Sequence, residues 1–320
     1  NVENSLKNSS LDNFIKELLD KNFIRSLDNS FFNLDENYKF SNVNDNYFYS
    51  GDVYTSTSNM SKLVENLFNL YNAENKIDFY FQTLIIKLNF KSELWNITSN
   101  KNKEFTGRFL VCSSNLLLHK RSIDILNVKE VPLREAIAKK NDIKIDEVID
   151  KTNKQEYIKR INFLIFTKKN YNLEGVFNKE IVHFIFHKNL QKYIGFERII
   201  IQKQFDKSLG IVIHTRNIDF LQNKYDMEDE KILYQDVLNK LNSFLIKNKI
   251  TFKNLLLDDI SRMNWRASQP IGEGIPERLQ LCKEYNIGFC GDWIQLEGYG
   301  SAAGAVLSGL NLSNKFIEYY

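Results

Sequence analysis

The chain has 320 residues, 43% of them hydrophobic and 26% charged, which is enough apolar material for a large core and a balance typical of soluble globular proteins. Its 43 basic and 40 acidic residues leave a formal charge of +3 with no long Lys/Arg block, so neither a nucleic-acid footprint nor a polybasic membrane patch is indicated. No apolar run is long enough to cross a bilayer, and no signal-peptide pattern opens the chain.

The three cysteines, Cys112, Cys282 and Cys290, match neither a disulfide framework nor a zinc spacing. They are expected to be reduced, buried thiols of a cytoplasmic protein. The chain starts at Asn1 rather than Met, so the expectation is a processed chain or part of a longer one.

In chain order, Leu11, Phe14, Ile15, Leu18 and Leu19 recur at helical spacing after Ser9-Ser10, which are expected to cap. Residues 29–56 read as short aromatic strands. Leu63, Val64, Leu67, Phe68 and Tyr71 mark a second helix ending near Asn72. Runs at Ile77–Phe81, Leu84–Phe90 and Leu94–Thr98 read as a meander, which returns through Arg108–Cys112 to a buried strand.

From about residue 125 the character changes. A charged, helix-prone stretch (Leu133–Lys151) precedes four apolar runs, Ile161–Thr167, Ile181–Phe186, Arg198–Gln202 and Leu209–His214, expected to form an antiparallel sheet. Glu228-Asp-Glu opens a long helix whose face carries Ile232, Leu233, Val237, Leu238, Leu241, Phe244 and Leu245, closing on Lys247-Asn-Lys. Phe252–Leu257 and Arg262–Trp265 lead back to the C-terminal stretch. There, Ile287–Cys290 reads as a buried strand that stops at Gly291-Asp292, and Ser301 onward reads as a helix that presents Ala302, Ala305 and Gly309 to a close neighbour. Gly298, Gly300 and Gly304 remove Cβ atoms at the helix start, leaving amides open to an anionic or electron-rich ligand. Asp292 offers a carboxylate beside them, suited to sugar-chain hydroxyls. The alternative is a tightly packed strand–helix crossover with no ligand.

Other chemistry-bearing residues are weighed the same way. His183 and His187 lie four apart in a strand-like run, roughly 13 Å, too far for one zinc; no metal site is expected. Asp258-Asp259 fits a turn or cap better than an acid/base pair. No serine-centred nucleophile elbow and no P-loop occur. His214 ends a strand where a substrate cavity can open, with a structural histidine as the alternative. Trp265-Arg266 pairs an aromatic plane with a fixed cation, suited to a ring system; a packed Trp with Arg at the rim is the alternative.

Jointly, Ile211-Val-Ile-His-Thr215, the long helix, Trp265-Arg-Ala-Ser-Gln-Pro270, Gly288-Phe-Cys-Gly-Asp-Trp293 and Gly300-Ser-Ala-Ala-Gly-Ala-Val-Leu-Ser-Gly309 resemble the renalase-like, FAD-dependent branch of the flavin amine oxidase superfamily. The resemblance is strong from about residue 209 and diffuse, by order of elements, from residue 11. It implies that Asp292, with Gly291 and Trp293, meets the ribityl or pyrophosphate region of FAD. It also implies that the helix entered at Gly300, Ser301 and Ala302 aims its amides at the flavin. Ile85 and the turn at Cys112–Ser114, Ser113 included, match the adenosine contacts, and residues 155–215 would roof the isoalloxazine. The family's opening Gly-x-Gly-x-x-Gly unit and the Gly-Gly-Arg stretch after it are absent; Asn59-Met60 replaces a Gly-Met pair, and a proline expected after the strand near Cys112 is missing.

The expected fold is α/β: a Rossmann-like FAD-binding domain, incomplete at its N-terminus (1–124 and 284–320), with an inserted antiparallel-sheet substrate domain (125–283). The expected function is hydride transfer from a small-molecule substrate, a dihydropyridine nucleotide or an amine, to FAD, with Trp265, Arg266 and His214 at the substrate. The alternative is a non-catalytic remnant or binding module that keeps the fold without flavin. A plain NAD(P)-binding reductase finds no glycine fingerprint here. Oligomeric state is not encoded in these patterns.

Overall fold

The computed structural model describes residues 2–4, 8–27, 30–42, 51–71, 76–137, 142–167, 171–172, 179–204, 208–215, 229–248, 251–252 and 259–319. Two compact units result. The first gathers Asn1–Arg25, Tyr54–Glu156 and Gln269–Tyr320; the second gathers Ser26–Val53 and Tyr157–Ser268. The domain boundaries expected from the sequence, at 124/125 and 283/284, divide the chain at other points.

The chain begins with β1 (Val2–Asn4) and α1 (Ser9–Asp20), which buries Leu11, Ile15 and Leu18. Its cap is Asn8, one residue earlier than expected: the Asn8 side chain accepts from the amides of Ser10 at 3.1 Å and Leu11 at 3.3 Å. Strands β2 (Ile24–Ser26), β3 (Phe31–Leu34), β4 (Phe40–Asn42) and β5 (Asp52–Ser56) follow. Helix α2 (Met60–Tyr71) starts under Asn59, whose side chain accepts from the Lys62 amide at 2.7 Å; the expected end at Asn72 lies outside the described residues.

The run Ile77–Phe81 is not a strand. Its rings seek other rings instead of a ladder, Phe79 lying 4.3 Å from Phe68 and Tyr80 4.8 Å from Phe105 between centroids. The meander itself is β6 (Ile85–Lys91), β7 (Leu94–Ser99) and β8 (Glu104–Gly107), after which β9 (Leu110–Cys112) departs. The charged stretch forms α3 (Arg121–Leu126), α4 (Pro132–Ala136) and α5 (Ile143–Lys154), the last capped by Asp142 accepting from Ile145 at 2.9 Å.

Next come β10 (Glu156–Thr167), β11 (Tyr171–Asn172), β12 (Ile181–Phe186), α6 (Lys188–Ile194), β13 (Phe196–Lys203) and β14 (Leu209–Thr215). Helix α7 (Glu230–Lys247) is capped by Asp229, which accepts from Lys231 at 2.8 Å. Glu228, Asp258 and residues 253–257 lie outside the described residues. The remainder is β15 (Thr251–Phe252), β16 (Ile260–Ile271), β17 (Ile275–Pro276), β18 (Leu281–Cys282), β19 (Ile287–Phe289), β20 (Ile294–Gln295) and α8 (Ala302–Tyr319).

The second unit is built on a seven-stranded sheet ordered β16-β10-β14-β13-β12-β3-β4. The four expected runs pair antiparallel at its centre, β10 with β14, β14 with β13 and β13 with β12. Strand β3 then adds parallel to β12, with Phe31 opposite His183. One face of this sheet, including Phe163, Ile165, Phe184, Ile199 and Ile213, packs on the apolar stripe of α7. That burial fixes which side of each strand looks away from α7.

The first unit has its own core of Leu88, Trp95, Leu118, Leu133, Ile145, Ile287, Phe289 and Trp293. Trp95 is completely buried, and its indole N–H donates to the carbonyl of Tyr285 at 2.7 Å, so the polar atom it carries inside is satisfied. A smaller cluster joins α1, α2 and α8 through Leu11, Ile15, Leu18, Leu63 and Ala303. Among the described residues no helix is long and apolar enough to cross a membrane.

Leu241 is fully buried and Ile246 is 75% exposed on the same helix. Leu241→Ala is expected to cost about 2–5 kcal/mol in a denaturant titration, whereas Ile246→Ala should move stability by roughly 0.5 kcal/mol or less.

Candidate functional site

The cofactor candidates all fall in the first unit, where β9 and β19 run parallel and in register, Cys112 opposite Phe289. Parallel strands deliver their carboxyl ends to the same edge, the usual place for a ligand in such sheets. Here that edge receives Ser113 from β9 and Gly291-Asp292 from β19. The amide of Cys290 donates to the Cys112 carbonyl at 3.1 Å, and the Trp293 indole donates to the Ser113 carbonyl at 3.3 Å, so the two turns are held together. Gly291 has φ +137°, and a Cβ there would run into the Trp293 indole and approach Ser113 O at 3.1 Å. Its backbone is clamped by Ser308 of α8, whose hydroxyl accepts from the Gly291 amide at 2.7 Å and lies within donating distance of the Gly291 carbonyl, 3.1 Å, and the Ala305 carbonyl, 2.8 Å.

Beside this edge lies a slot of about 320 Å³ lined by Leu84, Ile85, Leu110, Val111, Cys112 and Ser113, among others. Ile85 and Ser113 are thus neighbours. The slot is largely apolar with hydroxyl and backbone groups at its rim, a surface that suits a flat heterocycle.

Asp292 is half-buried, and among the described residues no other residue donates to its carboxylate. Burial pushes its carboxyl above the usual aspartate range, and only its own backbone opposes that. A carboxylate kept partly dry without a partner is a ready acceptor for ligand hydroxyls.

The start of α8 differs from expectation. Ser301 caps it, its hydroxyl accepting from the Gly304 amide at 3.0 Å and donating to Gly298 O at 2.6 Å. Open amides therefore reduce to those of Ala302 and Ala303, which have no partner among the described residues. The close-packed face is also rotated: Ala303, Gly304, Leu307 and Ser308 are buried, whereas Gly309 has open space where a Cβ would stand. Gly300 (φ +78°) stands outside the helix, its amide donating to the Asp292 carbonyl at 2.9 Å. Gln155, at the end of α5, steadies this loop by donating to the Trp293 carbonyl at 3.1 Å and pairing with the Tyr299 hydroxyl at 3.0 Å.

The catalytic candidates fall in the second unit, His214 and Trp265 on the sheet face turned away from α7. Register places Asn162, His214 and Arg198 directly opposite one another on β10, β14 and β13, and β16 lies beside β10. With the Asn162 amide oriented to satisfy both neighbours, its nitrogen donates to His214 Nδ1 at 3.1 Å and its oxygen accepts from Trp265 Nε1 at 3.3 Å. His214 and Trp265 are thus joined through a residue that sequence reading missed; its only signal was a lone amide in the apolar run Ile161–Thr167. Arg160, two residues before Asn162, pairs with Glu197 at 2.5 Å, both largely buried. Arg266 lies on β16, but its side chain is outside what the structure describes.

His214 is driven down to about 2, chiefly by burial and then by Arg198, Arg160 and His183. His183, fully buried with its ring 4.7 Å from that of Phe31, is likewise held at about 3 by burial and Arg198. His187 instead caps α6, accepting from the Asn189 amide. Cys112 is buried and pushed up to about 12, chiefly by burial and then by Cys290. Asp259 directly precedes β16, and Asp258 lies outside the described residues. Among the described residues no group of three or more His, Cys, Asp or Glu gathers as a metal site would require.

Two outcomes follow from this geometry. Gly304→Ala would drive a Cβ into the Gly298 carbonyl and should cost about 1–3 kcal/mol in thermal or denaturant unfolding, while Gly309→Ala should gain about 0.5–1 kcal/mol. Both buried imidazoles have folded values below the unfolded one, so stability is full above pH 6.5 and is lost as pH falls toward 3. Each contributes up to about 1.4 kcal/mol per pH unit in that window, and His183→Phe should flatten the acid limb of a stability-versus-pH curve.

No protein-family model and no curated protein matches the chain in sequence. Among solved structures it is similar to cyclohexylamine oxidase from Brevibacterium oxydans IH-35A, with a TM-score of 0.54 and 7% identity over 83% of this chain and 54% of that one. It is also similar to the CLA-producing fatty acid isomerase from P. acnes, with a TM-score of 0.47 and 12% identity over 82% of this chain and 52% of that one. For FqzB the TM-score is 0.49 and the identity 10%, over 95% of this chain and 61% of that one. The chain spans little more than half the length of these structures. At such identities the likeness speaks for the fold alone: a mixed α/β fold shared with cyclohexylamine oxidase, which carries the comparison.

Proposed function

We propose that the chain forms the body of an FAD-dependent oxidoreductase of the renalase-like type, acting in the cytoplasm on a small molecule. The observation that carries this reading is the shared strand edge of the first unit, where the Ile85/Ser113 slot and the half-buried Asp292 carboxylate lie at the carboxyl ends of a parallel pair. A flavin dinucleotide matches those donors and acceptors in kind. Its adenosine suits the slot, its sugar and ribityl hydroxyls suit Asp292, and an electron-rich ring edge suits the amides of Ala302 and Ala303. The Gly-x-Gly-x-x-Gly fingerprint that would hold its pyrophosphate does not occur within the 320 residues.

Bound FAD supplies a hydride acceptor for a dihydropyridine nucleotide or an amine, with oxygen as the terminal oxidant. This chain's own contribution is orientation and charge. His214 and Trp265 offer a fixed N–H and an aromatic face on the half-open side of the seven-stranded sheet, and Arg266, the next residue on β16, is a further candidate. The neutral imidazole of His214, kept from protonating by burial and two arginines, gives a polar contact without adding charge to that face.

Purified full-length gene product should be yellow, and FAD should be released from it on denaturation. Asp292→Ala should weaken flavin binding by roughly 10- to 100-fold while leaving the unloaded fold as stable as before, since it removes a partly buried carboxylate to which, among the described residues, only its own backbone donates. A colourless protein, or flavin content indifferent to Asp292, would favour a binding module that keeps the fold without the cofactor.

A further inference from the structure

An indole nitrogen only donates, so Trp265 Nε1 must face the oxygen of the Asn162 amide. That orientation turns the amide nitrogen toward His214 Nδ1, and an amide nitrogen also only donates. Nδ1 must then carry a lone pair, and the single proton of a neutral imidazole is left at Nε2. The three residues sit on adjacent strands β16, β10 and β14, with Asn162 and His214 directly opposite, so the sheet ladder itself fixes their order.

We propose that Asn162 is a positioning residue that locks His214 as the neutral Nε2–H tautomer, so that His214 acts as a hydrogen-bond donor to an acceptor atom of the substrate and takes up no proton. The role toward substrate rests on the site reading given under Proposed function; the locked tautomer does not.

The charged surroundings push the same way. Arg198 stands opposite His214 on β13, and Arg160 stands two residues from Asn162 on β10. His183 lies on β12, and its own partner on β13 is Ile200. The carboxylate on this face, Glu197, is taken by Arg160 at 2.5 Å. An imidazolium would meet two guanidinium groups and an amide donor, and among the described residues would find no carboxylate of its own.

The chain has four histidines, so nitrogen-15 NMR of the intact protein resolves His214 once His214→Gln identifies its signals. The expected result is a pyridine-type Nδ1 and a pyrrole-type Nε2 that do not change between pH 5 and 8. Trp265→Phe removes the donor that orients the amide and should give a mixture of tautomers. Asn162→Asp replaces the donor by a carboxylate and should raise the pH at which His214 titrates by about 2–3 units. A proton on Nδ1 in the native protein overturns the proposal. So does a single unaltered tautomer in Trp265→Phe, which also serves where Asn162→Asp fails to fold. A protein that shows the locked tautomer but holds no flavin keeps this inference and removes the functional reading above it.

Discussion

The clamp between Ser308 and the backbone of Gly291 is the constraint on which the first unit's candidate site depends. A chain leaving a strand at φ +137° has an amide and a carbonyl that no ladder satisfies; a hydroxyl on a neighbouring helix accepts from the amide, and the carbonyl is reached by that hydroxyl and by the Ile294 amide. Because Ser308 is completely buried, no water can replace it. The helix is thereby tied to the strand end, and Asp292 is held at the edge shared with Ser113. Small residues on α8 make this possible: a Cβ at Gly304 would collide with the Gly298 carbonyl, and larger side chains would hold the helix away from the turn.

In the second unit the corresponding constraint is the opposed character of the two sheet faces. Hydrophobic burial against α7 takes one side of every central strand, which obliges the alternate residues to share the other side. Those residues include an arginine, a histidine, an amide and an indole in one transverse row. Burying such groups is costly unless they satisfy one another. The row does so in one direction only, because its terminal member can only give a proton. Toward the β3 edge the same face closes over with Phe31, Ile181 and Ile185, backed by Leu27 and Val53, so the polar row is dry at one end and reachable at the other.

What the sequence disclosed and what it hid divide along the range of the interactions. Helices α1, α2 and α7 and the first two meander strands, β6 and β7, were legible because their periodicity is local, whereas Ile77–Phe81 was misread as a strand and β8 was passed over as part of a polar turn. The antiparallel pairing of β10, β14, β13 and β12 was legible because turn residues separate consecutive apolar runs. The pairing of β3 with β12 joins residues about 150 positions apart, and nothing in Phe31–Leu34 specifies a partner at that distance. The face of α8 was misread for a different reason: when nearly every residue is small, size no longer marks the packed side, and only Ser308's hydrogen bonds show the rotation. Gly291-Asp292 was found because a glycine followed by a carboxylate after an apolar strand is itself a chemical statement. Asn162 was missed because one amide in an apolar run acquires meaning only from what the neighbouring strands place against it.

The distribution of sulfur gives the molecule an uneven transparency to chemistry. All three cysteines belong to the first unit, and burial raises every one of them above the ordinary thiol value. Alkylating reagents attack the thiolate, so in the closed state they find almost nothing to react with. Any reaction at Cys112 or Cys282 then counts the moments when the strand edge of that unit comes apart. The seven-stranded sheet carries no such clock, and its openings pass unrecorded by the same reagent.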